Sequence, residues 1–408
     1  MKSIKEKIYV IQPITRENNA HYRVLQEEAV ALIESAGAVY AGTLYQNIRE
    51  INAATFIGEG KLVELSERLS GLDDVTVLFN GELSPSQTLN ISAMLQDRKV
   101  IDRTTLILDI FAKNAKSSEG KLQVELAQLR YLYPRLKGKG VALSRLGGGV
   151  GTRGPGETQL ETDRRYIRGR LKYLENRLKE LEKRRFLQSA RRKKDEIKTI
   201  ALIGYTNTGK STLLRLLTGA DAYAENRLFA TLDPMARQME IDGVPFLVID
   251  TVGFLQDLPH HLIEAFHSTL ESALQCDLAL IVCDAHGEYD MQLKTTLQTL
   301  ADLKCDIPHL LVMNKCDTVS DISALPFGSI PISAKENIGI QELKRQILHA
   351  FRDEYVFCEL FVPYVKFTEY AKLCNMLKER SVCFVDDGKL VQATIPKRYA
   401  EFFTPYIK

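Results

Sequence analysis

Residues 204–211 read Gly-Tyr-Thr-Asn-Thr-Gly-Lys-Ser and follow a largely apolar run that ends at Ile203. This is the strand–GxxxxGK[ST]–helix pattern of a phosphate-binding loop, in which glycines let successive N–H groups point at the β-phosphate. Lys210 is predicted to reach the β- and γ-phosphates, and Ser211 to offer its hydroxyl to Mg²⁺. The helix that follows aims its N-terminus at the same anion. The predicted nucleotide contacts of this loop are Gly204, Tyr205, Thr206, Asn207, Thr208, Gly209, Lys210, Ser211 and Thr212.

A second motif, Asn314-Lys315-Cys316-Asp317, directly follows the apolar run Ile307 to Met313. The carboxylate of Asp317 can accept hydrogen bonds from N1–H and the exocyclic amine of guanine, whereas adenine presents a different edge. A lone motif of this kind is usually a surface turn after a buried strand, but its position about 100 residues beyond a phosphate loop favours base recognition. Asn314, Lys315 and Asp317 are therefore predicted to select GTP over ATP.

Two further segments complete the predicted nucleotide site. Asp250-Thr251-Val252-Gly253 ends a strand-like run, so Asp250 is expected to hold Mg²⁺ through water and the Gly253 N–H to sense the γ-phosphate. Ser333-Ala334-Lys335 follows another such run, and its backbone is expected to close over guanine. In their order along the chain, at 204–211, 250–253, 314–317 and 333–335, the four motifs indicate a translation-type GTPase.

The position after Gly253 is Phe254, where many small GTPases carry a glutamine that orients the attacking water. A phenylalanine cannot hydrogen-bond water, so we expect slow intrinsic hydrolysis and a partner that completes the site. Substitution of the missing group by Gln256 stays an alternative. Asn207, inside the phosphate loop, suggests K⁺ as an additional source of positive charge at the phosphates, although an asparagine that only braces the loop fits equally well.

Charge is concentrated in one segment of the chain. Between Lys121 and Lys198 there are 22 lysines and arginines against nine acidic residues, a net charge of +13. Because the whole chain carries only +2, the remainder carries −11. A basic segment on an acidic body predicts a localised contact with a polyanion, with a merely solvated helix surface as the alternative.

The same segment predicts a helical hairpin. Apolar residues spaced 4, 3, 4, 3 recur in two stripes, which is typical of antiparallel helices packed through a coiled-coil seam. The second helix is expected over roughly 160–195, about 50 Å long, and Pro134 is expected to distort or end the first helix near its last turn. The stripes consist of Leu122, Leu126, Leu129, Tyr133 and Leu136, and of Ile167, Leu171, Leu174, Leu178 and Leu181.

Between the stripes, residues 138–156 contain eight glycines together with Lys139, Arg145 and Arg153. Glycines are costly in a helix, so this stretch is predicted to be a loop at the hairpin tip. Its positive charge favours contact with RNA, while a plain flexible connector is the alternative.

The fold class is therefore predicted to be α/β, with four domains. They are a small N-terminal α/β domain with a parallel sheet (1–113), the basic hairpin (114–196), a doubly wound GTPase domain (197–352) and a small α+β domain (353–408). The seven cysteines show no metal-ligand spacing, and no apolar run approaches the roughly 18 residues of a membrane helix. We expect a reduced cytoplasmic protein, monomeric and without a membrane span.

Over nearly its whole length the sequence resembles the HflX family of ribosome-associated GTPases. The most specific stretch is Gly148-Gly-Val-Gly-Thr-Arg-Gly-Pro-Gly-Glu-Thr-Gln-Leu-Glu-Thr-Asp-Arg-Arg165, and Val100-Ile-Asp-Arg-Thr-Thr-Leu-Ile-Leu-Asp-Ile-Phe111 fits as well. In the first switch, Leu228-Phe-Ala-Thr-Leu-Asp-Pro234, the resemblance implies that Phe229 contacts the nucleotide and that Thr231 senses Mg²⁺ and the γ-phosphate.

The resemblance further implies binding to the large ribosomal subunit and its rRNA, with the hairpin reaching toward the peptidyl-transferase centre, and GTP-dependent splitting or rescue of stalled ribosomes under stress. In this interpretation GTP and Mg²⁺ are the cofactors, and the catalytic groups are Lys210, Thr231 and Gly253. Two alternatives remain. One is a GTPase of tRNA modification, which would need a reactive cysteine or a cofactor site that the sequence does not reveal. The other is a ribosome-assembly module without splitting activity, in which GTP is structural.

Overall fold

The computed structural model describes residues 5–16, 18–72, 74–144, 155–194, 197–219, 235–251, 253–255, 276–286, 288–303 and 305–407. In its long helices the description covers the backbone alone at residues 137–144, 155–160, 185–186 and 188–194. The elements fall into two compact units, and each is described by itself. The first contains the N-terminal sheet and a long helical hairpin, and the second contains a six-stranded sheet and a C-terminal three-stranded sheet.

The N-terminal sheet has four parallel strands in the order β2-β1-β3-β4. Strand β3 reads Val-Thr-Val-Leu-Phe and is buried throughout, as β-branched and aromatic residues on a covered parallel sheet should be. The predicted small α/β domain with a parallel sheet is confirmed. The strands are β1 (Lys7–Ile14), β2 (Val39–Asn47), β3 (Val75–Phe79) and β4 (Val100–Asp102). The helices are α1 (Tyr22–Ala36), α2 (Glu59–Arg68), α3 (Pro85–Met94) and α4 (Arg103–Asn114).

At the carboxyl end of β4, Asp102 joins this sheet to the hairpin. It caps α4 by accepting a hydrogen bond from the backbone N–H of Thr105 at 2.9 Å. Its other oxygen accepts from the hydroxyl of Tyr131 and from Arg135 at 3.1 Å. Burial raises the pKa of Tyr131, and the charge of Asp102 raises it further, so the phenol stays protonated as a donor. We call Asp102, Tyr131 and Arg135 the hairpin clasp.

Two long helices, α5 (Ser118–Ser144) and α6 (Pro155–Lys194), confirm the predicted hairpin. Their seam is made of predicted stripe residues, with Leu126, Leu174 and Leu178 buried at its centre. Ion pairs flank the seam, including a two-pronged bond from Arg170 to Glu125 at 2.6 and 2.8 Å. Such pairs fix register more than they add stability, because they are about a third exposed.

Three expectations about this hairpin were wrong in detail. Helix α6 begins at Pro155 rather than near 160, and its 40 residues span about 60 Å. Helix α5 does not end near Pro134 but runs ten residues further, to Ser144. Residues 138–144 and 155–156 are therefore helical rather than part of a loop. A helix that is already nucleated extends at little cost, so it can absorb about 1 kcal/mol for each glycine.

The second unit holds a six-stranded sheet in the order β10-β9-β8-β5-β7-β6, parallel except for β6. The phosphate-loop strand β5 lies at its centre with every residue from Ile200 to Gly204 buried. This is the predicted doubly wound arrangement. The strands are β5 (Lys198–Gly204), β6 (Met235–Ile241), β7 (Val244–Asp250), β8 (Leu278–Asp284), β9 (His309–Asn314) and β10 (Ile330–Pro331). Its described helices are α7 (Lys210–Thr218), α8 (Tyr289–Asp302) and α9 (Ile340–Ala350).

The C-terminal residues form an antiparallel sheet in the order β11-β13-β12, which agrees with the predicted small α+β fold. Its elements are β11 (Tyr355–Pro363), α10 (Phe367–Leu373), β12 (Lys378–Val385), β13 (Gly388–Pro396) and α11 (Ala400–Phe403). Helix α10 is short and ends at Leu373. Lys378 begins β12 and pairs with Thr394 of β13.

Polar contacts join this sheet to the six-stranded one. Arg380 forms an ion pair with Asp242 at 2.7 Å, and the Thr394 hydroxyl donates to the Asp242 carbonyl at 3.0 Å. On β5, Lys198 forms ion pairs with Glu354 and, at 3.6 Å, with Asp277. Within the described residues, no helix has the length and apolar character needed to cross a membrane.

Candidate nucleotide-binding site

The phosphate loop connects β5 to α7 and depends on two glycines. Gly204 has φ of +151° and Gly209 has φ of +90°, which are values that only glycine adopts easily. A Cβ at Gly204 would collide with the backbone carbonyl of Val282 in β8. A Cβ at Gly209 would collide with the side-chain amide of Asn314. The loop therefore lies flat against its neighbours, and any side chain at these positions would push it away.

Lys210 is the first residue of α7, and its side chain folds back over the loop. Its Nζ donates to the carbonyls of Gly204 at 3.0 Å and Tyr205 at 2.6 Å, and only 6% of the residue is exposed. Burial lowers the pKa of Lys210 to about 8, while the nearby charge of Asp250 opposes this shift. A buried cation beside two carbonyl dipoles and the Asp250 carboxylate is poised for an anion, which fits the phosphates of a nucleotide.

Ser211 and Asp250 meet beside this lysine. The Ser211 hydroxyl donates to Asp250 Oδ2 at 2.6 Å, and Asp250 is 1% exposed at the end of β7. Hydroxyl and carboxylate oxygens are the ligands that Mg²⁺ prefers, usually from few protein groups together with phosphates and water. The described residues contain no cluster of three histidine, cysteine, aspartate or glutamate side chains that could hold a metal without such help. These two oxygens therefore fit Mg²⁺ bound together with a nucleotide.

At the base end, Asn314 joins three segments. Its Nδ2 donates to the Thr208 carbonyl in the phosphate loop at 2.7 Å. Its Oδ1 accepts from the Ala334 backbone N–H at 2.9 Å. Asn314 is 2% exposed and Ser333 is fully buried, so this brace is protected from water. It makes the predicted phosphate and base segments one connected structure.

Asp317 stands exposed next to this brace. A hydrogen bond from Ser333 lowers the pKa of Asp317, and the charges of Lys335 and Lys315 lower it further. The carboxylate thus stays ionised, as an acceptor for guanine requires. Lys335 itself points outward and forms an exposed ion pair with Glu336 at 3.2 Å. The backbone of Lys335, rather than its charged side chain, is therefore the part that can contact the guanine base.

Sequence reasoning assigned no role to Asp284 or Thr251, and it did not foresee the hydrogen bond that Thr208 makes within the loop. Asp284, at the end of β8, accepts from Lys315 Nζ at 2.6 Å. The Thr208 hydroxyl closes the phosphate loop onto the Tyr205 carbonyl at 3.0 Å. The Thr251 hydroxyl donates to the Leu202 carbonyl at 2.7 Å. Asp284 could have been found, because a carboxylate follows the apolar run of β8 just as Asp250 and Asn314 follow theirs.

Several predicted residues stay predictions. Phe229 and Thr231, the alternative Gln256, and the hairpin cations Arg145 and Arg153 lie outside the described residues, and Lys139 is described by its backbone alone. Gly253 and Phe254 are buried. Asn207 is exposed with φ of +61°, a left-handed conformation that asparagine tolerates.

The class of the protein is defined by four features at the carboxyl ends of parallel strands in one sheet. They are the phosphate loop with its two glycines, the buried Lys210, the Ser211–Asp250 pair and the exposed carboxylate of Asp317. The protein is a phosphate-loop GTPase. Comparison with known proteins agrees with this class. Residues 199–315 match the family model described as "50S ribosome-binding GTPase", residues 24–112 match "GTP-binding GTPase N-terminal", and residues 114–192 match "GTP-binding GTPase Middle Region".

Curated relatives identify the family. The chain is 46% identical to the GTPase HflX of Caldanaerobacter subterraneus subsp. tengcongensis over 94% of this chain and 88% of that protein. It is 42% identical to the GTPase HflX of Alkalihalophilus pseudofirmus, over 96% and 88% respectively. The GTPase HflX of Escherichia coli K12 is 44% identical over 72% of this chain and 70% of its own length. The chain belongs to the HflX family.

Proposed function

We propose that this GTPase binds the large ribosomal subunit through its hairpin and uses GTP to promote the splitting or rescue of stalled ribosomes. The observation that carries the proposal is that one polypeptide contains both a nucleotide site with guanine-recognition motifs and a long basic hairpin. The family model that matches residues 199–315, described as "50S ribosome-binding GTPase", supports the ribosome as the partner.

The hairpin surface supports RNA as the contacted material. Tyr166 and Tyr173 on α6 are 73% and 50% exposed, and Arg170 lies over the Tyr173 ring at 5.1 Å. Arg168 donates to the Tyr133 hydroxyl at 2.9 Å on the facing helix. Exposed aromatic rings interleaved with arginines stack on unpaired bases and neutralise phosphates, and both kinds of contact are common in RNA recognition.

In this proposal the nucleotide site divides into two parts. Lys210, Ser211, Thr231, Asp250 and Gly253 handle the phosphates, and Asn314, Lys315 and Asp317 read the base, with the Ser333–Lys335 backbone beside it. Mg²⁺, when bound, neutralises charge that develops on the phosphate oxygens. The Lys210 ammonium adds positive charge from the buried side of the loop. Phe254 supplies no hydrogen bond to water, so the chain by itself hydrolyses GTP slowly, and a ribosomal group completes the site.

The GTP hydrolysis rate, measured with and without purified large subunits, tests this function. We expect slow hydrolysis by the free protein and acceleration by orders of magnitude on large subunits. A fast rate that is indifferent to ribosomes would contradict the proposal. Stimulation without any separation of subunits in a sedimentation assay would favour the assembly role, and stimulation by tRNA instead of subunits would favour the modification role.

The hairpin is tested by replacing the tip, residues 145–154, with a Gly/Ser linker of equal length. GTP affinity should be unchanged, because the nucleotide site is built from residues beyond 200. Ribosome binding should largely persist while splitting is lost. Full splitting by this variant would make the tip a plain connector.

The helix charges are tested separately. Charge reversal at Lys183 and Arg184 should weaken ribosome binding. The slope of log affinity against log salt concentration should also become shallower, by about one unit for each lost phosphate contact. Arg345→Glu, at an exposed position of α9, is the matched control and should change neither.

A further inference from the structure

One carboxylate at the nucleotide edge has no role in the motifs described above. Asp284 ends β8, which lies between the phosphate-loop strand β5 and the guanine-motif strand β9, and it pairs in register with Asn314. We infer that Asp284 is a positioning residue, which holds the Lys315 side chain ready for the base and so sets nucleotide affinity through Lys315. The inference rests on GTP binding at this site and is independent of any ribosomal partner.

Asp284 is itself held firmly. Its Oδ1 accepts from the His286 backbone N–H at 3.0 Å, while its own N–H donates to Gln292 Oε1 at 2.9 Å. Its Oδ2 receives Lys315 Nζ at 2.6 Å. The two side chains are 18% and 34% exposed, so this ion pair is better shielded than an ordinary surface pair. The carboxylate is therefore a fixed anchor rather than a mobile counter-charge.

Lys315 is the partner that needs an anchor. Its backbone is left-handed, with φ of +64° and ψ of +31°, so the residue lies outside helix and strand geometry. A lysine stem has four rotatable bonds, and immobilising it on binding costs free energy. The ion pair with Asp284 restricts those rotations before a nucleotide arrives, which leaves less ordering for the binding step.

Lys315 and Asp317 would then serve different parts of a purine. The Asp317 carboxylate accepts from donors on the base edge, whereas the Lys315 stem offers methylene groups, which suit the flat face of a ring. Guanine and hypoxanthine have the same kind of face, but only guanine carries the exocyclic amine at its edge. A residue that acts through Lys315 should therefore affect both bases equally, and this separates its role from that of Asp317.

The test is the affinity of fluorescent GDP and IDP for Asp284→Asn, measured by binding alone. Asparagine keeps the shape of the side chain and its acceptor for His286 but loses the charge that holds Lys315. We expect both nucleotides to bind about three- to tenfold more weakly, with their affinity ratio unchanged. Asp317→Asn should instead reduce the preference for GDP over IDP. Asp302→Asn, on the exposed end of α8, is the matched control and should bind as wild type.

A double-mutant cycle with Lys315→Met decides whether Asp284 acts through Lys315. The loss caused by Asp284→Asn in the wild-type background should disappear when Lys315 is already methionine. In hydrolysis assays the KM for GTP should rise while kcat stays unchanged. Equal losses in both backgrounds, an altered GDP-to-IDP ratio, or undiminished affinity in a correctly folded Asp284→Asn protein would each overturn the inference.

Discussion

The buried Lys210 should make nucleotide affinity depend on pH in the alkaline range. Its pKa is lowered to about 8 in the free protein, chiefly by burial. Phosphates placed beside Nζ favour the cation and raise this pKa again. Binding therefore takes up a proton, and affinity falls as pH rises above the pKa of the free protein.

The size of the effect follows from that pKa. About nine-tenths of the free protein carries the Lys210 cation at pH 7 and about one-tenth at pH 9. If the bound form stays protonated throughout, affinity should fall about tenfold between these values, or about 1.4 kcal/mol. Near pH 8 the binding step should take up about half a proton.

Isothermal titration of GDP in buffers of different ionisation enthalpy measures both quantities. Lys210→Met is the control, since it should bind more weakly but lose the pH dependence that Lys210 causes. The difference between the two proteins also removes the slight ionisation of guanine itself at pH 9. Proton release, or an affinity equally flat in wild type and Lys210→Met, would refute the assignment of this lysine.

Three shorter expectations concern other positions. Asp317→Asn should weaken GTP binding about tenfold or more and favour xanthosine nucleotides, because it replaces an acceptor with a mixed donor and acceptor; unchanged preference for GTP in competition assays would contradict this. Asn207→Ala should abolish any advantage of KCl over NaCl in hydrolysis at matched ionic strength, and equal wild-type rates in the two salts would rule out K⁺. Tyr131→Phe should lower the free energy of unfolding by about 1–3 kcal/mol in urea, since a buried partner of Asp102 is lost, whereas Tyr133→Phe should cost less; equal costs would argue against the hairpin clasp.

Much of the nucleotide site could be predicted because its motifs are local. The phosphate loop needs glycine at two fixed positions and a lysine and serine next to each other, so Gly204, Gly209, Lys210 and Ser211 are recognisable from spacing alone. The leucine stripes of the hairpin are equally local, since each helix turn repeats the pattern. Their confirmed seam shows that periodicity over several turns is a reliable guide to packing.

Features that depend on distant parts of the chain could not be predicted in the same way. The ion pair between Asp284 and Lys315 links the ends of two strands, and the sequence around either residue does not indicate that the other is its partner. Pro134 was expected to distort or end α5, but the helix continues to Ser144, because whether a proline ends a helix depends on the whole helix rather than on the proline alone. Lys378 likewise belongs to β12 because of its partner in β13.

The close contact between Gly209 and Asn314 limits how this site could be redesigned. A single methyl group at Gly209 would displace the Asn314 amide, and the same amide holds the Thr208 carbonyl. A substitution at either position therefore disturbs the phosphate loop and the base-recognition segment at the same time. An engineer, or natural selection, seeking a GTPase with a new base preference would have to leave this pair untouched and work at the exposed Asp317 instead.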